Sequence, residues 1–381
     1  MIIGINAAAA IKQPRTGVEE YTYQLIKHLT MLPEAREHRF LLYLPSVALA
    51  KEDLPADLFD FSIPANFEIK TLYWPLPFLW TQIRLAWEML VRSPEVLFIP
   101  VHVLPFFSPK NSMVTVHGLE YEYWPKNYYF WRRFYLRWGT KYAAKRAQKI
   151  IAISANTKQD LMKLYGIKAE KISVVHHGVN SKIFNDPPRL IEDETKRIPS
   201  PKDQAKKLYL LYIGRIETKK NIQGILEVYK ILKEKYKIPH ELILAGAPGY
   251  GYDNLKSIIC HSSSIIQETG YISEEKKWQL LFNASVFLFP SFYEGFGLPV
   301  LEAQAAGVPV VTSLVSCLPE IAGQGALFVN PHSSVEIAEA VKQIIDDSNL
   351  RDRLRQSGFE NIKRFSWEKC ARETLRIVAR I

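Results

Sequence analysis

Short apolar runs of strand length alternate with helix-patterned segments from one end of this chain to the other. That alternation leaves little besides parallel sheets, because parallel neighbours need a helical crossover between them and their strands become apolar on both faces. In the first half the runs fall at Ile2–Asn6, Phe40–Leu44, Glu68–Leu72, Val96–Ile99, Met113–Val116, Ile150–Ile153 and Ile172–Val175. In the second they recur at Tyr209–Ile213, Glu241–Ala245, Ile265–Glu268, Val286–Phe289, Val310–Thr312 and Ala326–Val329. A chain of 381 residues exceeds one ordinary core. The pattern therefore predicts two doubly wound α/β domains, over residues 1–184 and 208–365. Residues 185–207, with Asp186-Pro187-Pro188, Pro199-Ser200-Pro201 and many charges, read as an exposed linker.

Three cysteines, Cys260, Cys317 and Cys370, are widely spaced and odd in number, which argues against a disulfide framework or a zinc site and fits a reducing cytosol. No apolar stretch has the length of a membrane span, and Met1-Ile2-Ile3-Gly4-Ile5-Asn6 starts as a strand rather than as a signal peptide. A cytoplasmic protein is expected. The net charge is +10, and residues 1–183 hold 23 Lys and Arg against 15 Asp and Glu. The charge alone leaves nucleic acid, anionic lipid and a basic surface without a partner all open. No nucleic-acid-binding motif accompanies it, so nucleic acid is not the expected partner. Between Tyr121 and Lys149, aromatic residues such as Tyr129, Phe130, Trp131, Phe134 and Trp138 interleave with Arg132, Arg133 and Arg137. That mixture fits peripheral contact with an anionic membrane, or in part a helical core face.

The densest chemistry lies in Pro290-Ser291-Phe292-Tyr293-Glu294-Gly295-Phe296-Gly297-Leu298-Pro299-Val300-Leu301-Glu302. Gly295 and Gly297 let the backbone approach a ligand, and a helix starting near Leu298 adds the positive end of its dipole. The turn through Gly295, Phe296, Gly297 and Leu298 therefore suits phosphate. Carboxylates suit hydroxyls instead, so Glu294 and Glu302 are expected on sugar rings at either end of a diphosphate: Glu294 on the donor sugar, Glu302 on the nucleotide ribose. Strand Tyr209–Ile213 runs into Gly214-Arg215-Ile216-Glu217-Thr218-Lys219-Lys220-Asn221. Arg215 and Lys220 supply two cations for the charge that develops on a departing diphosphate, with Lys219 as the alternative.

The segment resembles the C-terminal signature of the family-4 retaining glycosyltransferases (glycosyltransferase group 1): a strand, Pro-Ser, Glu-Gly-Phe-Gly, Pro-x-x-Glu-Ala, then Gly-x-Pro-Val-Val. The similarity covers nearly the whole chain and is densest from Tyr209 to Pro331. It points toward bacterial polysaccharide and lipopolysaccharide mannosyl- or glucosyltransferases. The resemblance implies the GT-B architecture, two Rossmann-like doubly wound domains facing a central cleft. It also implies an acceptor-binding N-terminal domain, a nucleotide-sugar-binding C-terminal domain and a last helix, 366–381, packed back on the N-terminal one. It assigns Arg215 and Lys220 to the donor phosphates. His117, at the end of Met113–Val116, is assigned to the transferred sugar, although Gly118 stands where the family has an acid. Gly17 matches a family glycine at the first helix, while Glu20 replaces the usual arginine. Gly214, Gly246, Tyr271 and Ile272 sit where the family holds the nucleotide, the last two offering the base an apolar slot and main-chain hydrogen bonds. Adjacent His176 and His177 are a weak metal signal, since neighbours on an extended chain point opposite ways.

The expected activity is retaining transfer of a hexose from GDP-mannose or a UDP-hexose to a saccharide acceptor carried on a lipid. No metal or other cofactor is expected, and the enzyme would work in the cytoplasm or on the inner face of the cell membrane. Two rivals are a nucleotide-sugar epimerase of the same architecture and a glycoside hydrolase using Glu294 and Glu302. The hydrolase leaves Arg215, Lys220 and the glycines unexplained.

Overall fold

The computed structural model describes residues 1–46, 59–76, 78–179, 208–261 and 265–381; the segment 185–207, read as a linker, lies outside them. The chain divides into two units, Met1–Gly178 together with Phe365–Ile381, and Val179–Arg364. The first holds β1 (Ile2–Asn6), β2 (Arg39–Pro45), β3 (Phe67–Leu72), β4 (Val96–Ile99), β5 (Ser112–Val116), β6 (Lys149–Ala152) and β7 (Ile172–Val174). They pair in parallel in the order β3-β2-β1-β4-β5-β6-β7. The second holds β8 (Tyr209–Ile213), β9 (Glu241–Ala245), β10 (Ile266–Gly270), β11 (Val286–Phe289), β12 (Val310–Ser313) and β13 (Ala326–Val329), in the parallel order β10-β9-β8-β11-β12-β13. The apolar runs of the sequence lie within a residue or two of these strands.

Both faces of each sheet are covered, which explains why the strands read as continuous apolar runs. β2 sends Phe40, Leu42 and Leu44 into one layer and Leu41 and Tyr43 into the other, the period of two that a pleated strand imposes. In each sheet the winding direction reverses once, between β1 and β4 and between β8 and β11. Loops leaving the carboxyl ends of such a strand pair diverge to opposite faces and leave a crevice.

The helix Trp367–Val378 packs on the first unit, with Cys370, Ala371, Leu375 and Val378 in the same core as Leu25 and Ile26 of the helix Gly17–Met31. Ser366 caps it by accepting from the Lys369 backbone N–H, and Arg372 reaches Glu34 at 3.0 Å. Its first residue joins an aromatic seam. His177 stacks between Tyr21 at 4.7 Å and Trp367 at 5.7 Å, and His117 meets Tyr21 edge-on at 4.8 Å and His102 at 5.4 Å. Burial drives all three imidazoles toward the neutral form, His102 down to about 4 and His117 to about 3, where His102 adds to the effect. His177 falls well below its ordinary value, by burial first and then by His117 and His176.

Two expectations follow from this seam. An added Cβ at Gly178 would lie 2.1 Å from the Trp367 backbone nitrogen, whereas one at Gly17 meets nothing within 4 Å. Gly178→Ala should therefore lower the thermal unfolding midpoint by the equivalent of about 1–3 kcal/mol, and Gly17→Ala should not. Stability should also fall with acid. Below a pH of about 6.5 the unfolded chain binds protons that the folded imidazoles refuse, which costs roughly 2 kcal/mol per neutral imidazole between about pH 7 and pH 5. Denaturant titrations at the two pH values, with ring nitrogen shifts of His117 staying those of neutral imidazole, check the sign.

Candidate active site

In the second unit, the reversal between β8 and β11 brings together residues that lie far apart in sequence. The loop after β8 carries Gly214, Arg215, Lys219 and Lys220; the loop after β11 carries Phe292 to Gly297. The Phe292 N–H donates to the Lys219 carbonyl at 3.0 Å, tying the loops together. Across that tie the Lys220 ammonium donates to Glu294 Oε1 at 2.5 Å, with the side chains 14% and 10% exposed. Glu294 Oε2 makes no hydrogen bond among the described residues. Lys219 turns aside to Glu217 at 3.4 Å. Arg215 is exposed, and among the described residues its guanidinium makes one hydrogen bond, a long one of 3.4 Å to the Pro248 carbonyl, and pairs with no carboxylate.

The glutamate loop is braced from the far side by the loop after β12. Ser316 Oγ accepts from the Glu294 N–H at 3.2 Å, and the Cys317 thiol lies 3.1 Å from both the Glu294 and the Phe296 carbonyls. Burial, then Glu294 and Glu320, pushes that thiol well above its ordinary pKa, so it stays a donor. Gly297 opens the helix Leu298–Ala305 at φ +95°, a conformation suited to glycine. Phe296 is buried and Leu298 half-buried.

Gly214 and Gly246 sit at the ends of neighbouring strands, and a Cβ on Gly246 would fall 1.9 Å from the Gly214 carbonyl oxygen. The Gly246 N–H continues the line by donating to the Gly270 carbonyl at 2.8 Å. Beyond it, Tyr271 stands 67% exposed and Ile272 half-buried at the end of β10. Glu302, one turn into its helix, joins none of the other sequence-derived candidates. It meets Lys277 of the helix Glu274–Asn283, whose Nζ lies 2.6 Å from Glu302 Oε1 and 2.8 Å from Glu274 Oε1. Burial lowers the Lys277 pKa, but Glu302 and Glu274 outweigh it and hold the lysine above its ordinary value. Lys277 and Cys317 were missed in sequence, Lys277 because a lysine three residues after Glu274 reads as a surface pair.

In the first unit His117 follows β5 and donates from Nε2 to the Pro100 carbonyl at 2.7 Å, its neutral ring leaving Nδ1 as an acceptor. Its own N–H meets His102 Nδ1 at 3.3 Å. Gly17 opens the helix Gly17–Met31 on the surface, one turn before Tyr21. Glu20, which stands where the resembled family has arginine, is tied to Arg15 at 3.0 Å and to Gln24 at 2.7 Å. Among the described residues no three His, Cys, Asp or Glu side chains gather as a metal cluster.

The family description Glycosyltransferase Family 4 matches residues 15–182, and Glycosyl transferases group 1 matches residues 193–361. O-antigen chain mannosyltransferase B of Escherichia coli is 28% identical over 388 residues, spanning 97% of this chain and 98% of its own. O-antigen chain mannosyltransferase RfbU of Salmonella typhimurium is 24% identical over 362 residues, 91% of this chain and 94% of its own. Among solved structures, sucrose-phosphate synthase from Thermosynechococcus elongatus has the same fold, with a TM-score of 0.75 at 18% identity over 100% of this chain and 98% of that one. With one description accounting for each unit and both sheets in place, the chain belongs to the group 1, family 4 glycosyltransferases and has the GT-B fold.

Proposed function

We propose that the protein transfers a hexose, with retention at the anomeric carbon, from a nucleoside-diphospho-sugar to a saccharide acceptor carried on a lipid. GDP-mannose is the first donor to test, given the mannosyltransferase relatives, and a UDP-hexose the second. The observation that carries the reading is the pair Lys220–Glu294 beside the unmatched Arg215, at the strand ends where open α/β sheets take ligands. Arg215 and Lys220 take the diphosphate, Glu294 Oε2 accepts from donor-sugar hydroxyls, Glu302 accepts from the ribose, and the base lies along Tyr271 and Ile272. The acceptor oxygen attacks the anomeric carbon on the face from which the diphosphate leaves. The carbon–oxygen bond to phosphate breaks, the acceptor proton passes to the departing phosphate oxygen, and glycoside and nucleoside diphosphate are released. Charge stabilisation and positioning supply most of the rate, and no metal or other cofactor takes part. A hydrolase using the two glutamates would leave both cations idle.

The acceptor side of the reading rests on the helix Phe130–Arg146. Its Gly139, Thr140, Ala143 and Ala144 are buried, and at about 100° per residue Phe130, Trp131, Phe134 and Trp138 fall on the opposite side. Trp131 is 75% exposed and Phe130 71%, whereas Tyr121 of the same stretch is core. At the helix's C-terminal end, Lys145, Lys149, Lys168 and Lys171 line, together with Glu170, an open depression of about 440 Å³, and among the described residues none of the four lysines pairs with a carboxylate. Outward aromatics along a helix that ends among cations without carboxylate partners suit the interface of an anionic bilayer, on the inner face of the cell membrane. No helix among the described residues is long and apolar enough to cross one.

Arg215→Ala should lower turnover about 100-fold or more, the scale of losing one charge-stabilising donor. Glu294→Gln should spare binding of the free nucleoside diphosphate while damaging transfer, and activity should survive excess chelator. Steady-state kinetics and calorimetry decide; near-normal turnover in Arg215→Ala would refute the phosphate assignment. On the membrane side, binding to vesicles should rise with anionic lipid and weaken with salt. Replacing Phe130, Trp131 and Phe134 together by serine should weaken it tenfold or more, since full burial of each such side chain is worth about 1.5–3 kcal/mol. Equal binding to neutral and anionic vesicles, or binding indifferent to the triple substitution, would exclude this surface.

A further inference from the structure

We propose that Lys277 is a positioning residue that aims Glu302 at the nucleotide ribose and so sets the preference for ribonucleotides. The inference rests on the reading of Glu302 as the ribose acceptor. Lys277 lies outside the glutamate motif, 25 residues before Glu302, on the helix that crosses from β10 to β11. Its Nζ holds Glu302 Oε1 at 2.6 Å, and the two side chains are only 14% and 18% exposed. The same Nζ is tethered at 2.8 Å to Glu274, so the ammonium is fixed from its own helix as well. Glu302 Oε2 has no hydrogen-bond partner among the described residues.

The terminal torsion of a glutamate is soft and two-fold, so a carboxylate without a fixed bond presents its oxygens over a wide arc. Anchoring one oxygen to a charged donor removes that freedom and leaves the other facing one direction. A ribose offers adjacent 2′- and 3′-hydroxyl donors, and an oriented carboxylate oxygen distinguishes them from hydrogens because a hydroxyl that reaches it gains a charge-assisted hydrogen bond. A partly buried carboxylate stripped of its cation loses both its aim and the partner that makes its burial tolerable.

Lys277→Met keeps the aliphatic stem and removes the charge. Calorimetry with GDP and UDP and with their 2′,3′-dideoxy counterparts, on full-length protein, reads the effect. Lys277→Met should weaken binding of the ribonucleotide about tenfold, leave the dideoxynucleotide nearly unchanged, and raise the donor KM with little change in kcat. The double variant with Glu302→Gln should be no worse than Glu302→Gln alone. If Lys277→Met keeps the ribose-to-dideoxyribose ratio of the parent while Glu302→Gln collapses it, the role of Lys277 is wrong and the ribose reading stands. If Glu302→Gln itself leaves the ratio intact, the ribose reading fails and this inference with it. Equal losses for both nucleotides in Lys277→Met would mark a general structural defect and overturn the proposal.

Discussion

Lys220 and Glu294 are 74 residues apart in sequence and meet at 2.5 Å because β8 and β11 are neighbours in the sheet. Only a winding reversal at that pair sends their two loops out over one crevice. Both charges are largely withdrawn from water, so each depends on the other: a lone buried carboxylate or ammonium is costly, and the pair is tolerable only with good geometry. The rest of the site supplies that geometry. The Phe292–Lys219 backbone bond fixes the distance between the loops, and Ser316 and Cys317 hold the glutamate loop from a third strand end. Tyr212 donates to the Arg215 carbonyl at 2.8 Å, and burial, with Glu294 and Glu217, keeps its hydroxyl protonated.

In the proposed reaction such a pair also suits a ligand. It engages a single carboxylate oxygen and leaves Lys220 further donors, so hydroxyl and phosphate groups can enter without first breaking the contact. Lys277 and Glu302 repeat the arrangement on the following helices, again with one carboxylate oxygen committed and one open. Glycine is also what lets the neighbouring strand ends pack. At Gly246 the Gly214 carbonyl already occupies the place of a side chain, so neither strand end can be raised by a larger residue without moving the other.

How much of this was legible in sequence depended on whether a signal was local. The strands were legible because burial on both faces makes each one a closed apolar run. The turn at Gly297 was legible because the positive φ that opens the following helix there favours glycine. Lys277 was not, since its partner is brought to it by a crossover between strands and nothing in Glu274-Glu275-Lys276-Lys277 distinguishes one lysine from the next. The aromatic stretch was legible in composition but not in direction. Tyr121 and Trp131 look alike on paper, and the small residues Gly139, Thr140, Ala143 and Ala144, spaced to share a helix face, are what mark the buried side. The histidines hid their character for another reason. His117 stands at a strand end as a site residue would, yet its ring is held neutral by a seam assembled from β1's following helix, the end of the first unit and the last helix of the chain.

The two units carry their charge in different ways. Residues 1–183 carry an excess of eight positive charges, and a field of that kind acts on any polyanionic surface without selecting a molecule. The second unit is nearly balanced in charge, so whatever anion it takes must be chosen by placed groups: Arg215 unmatched, Lys220 and Lys277 each leashed to a glutamate. Under the proposed assignment leashing carries the specificity, because a lysine already paired gives little to an ion that brings charge alone. It gives more to a ligand that brings hydroxyls for the carboxylate together with phosphate for the cations.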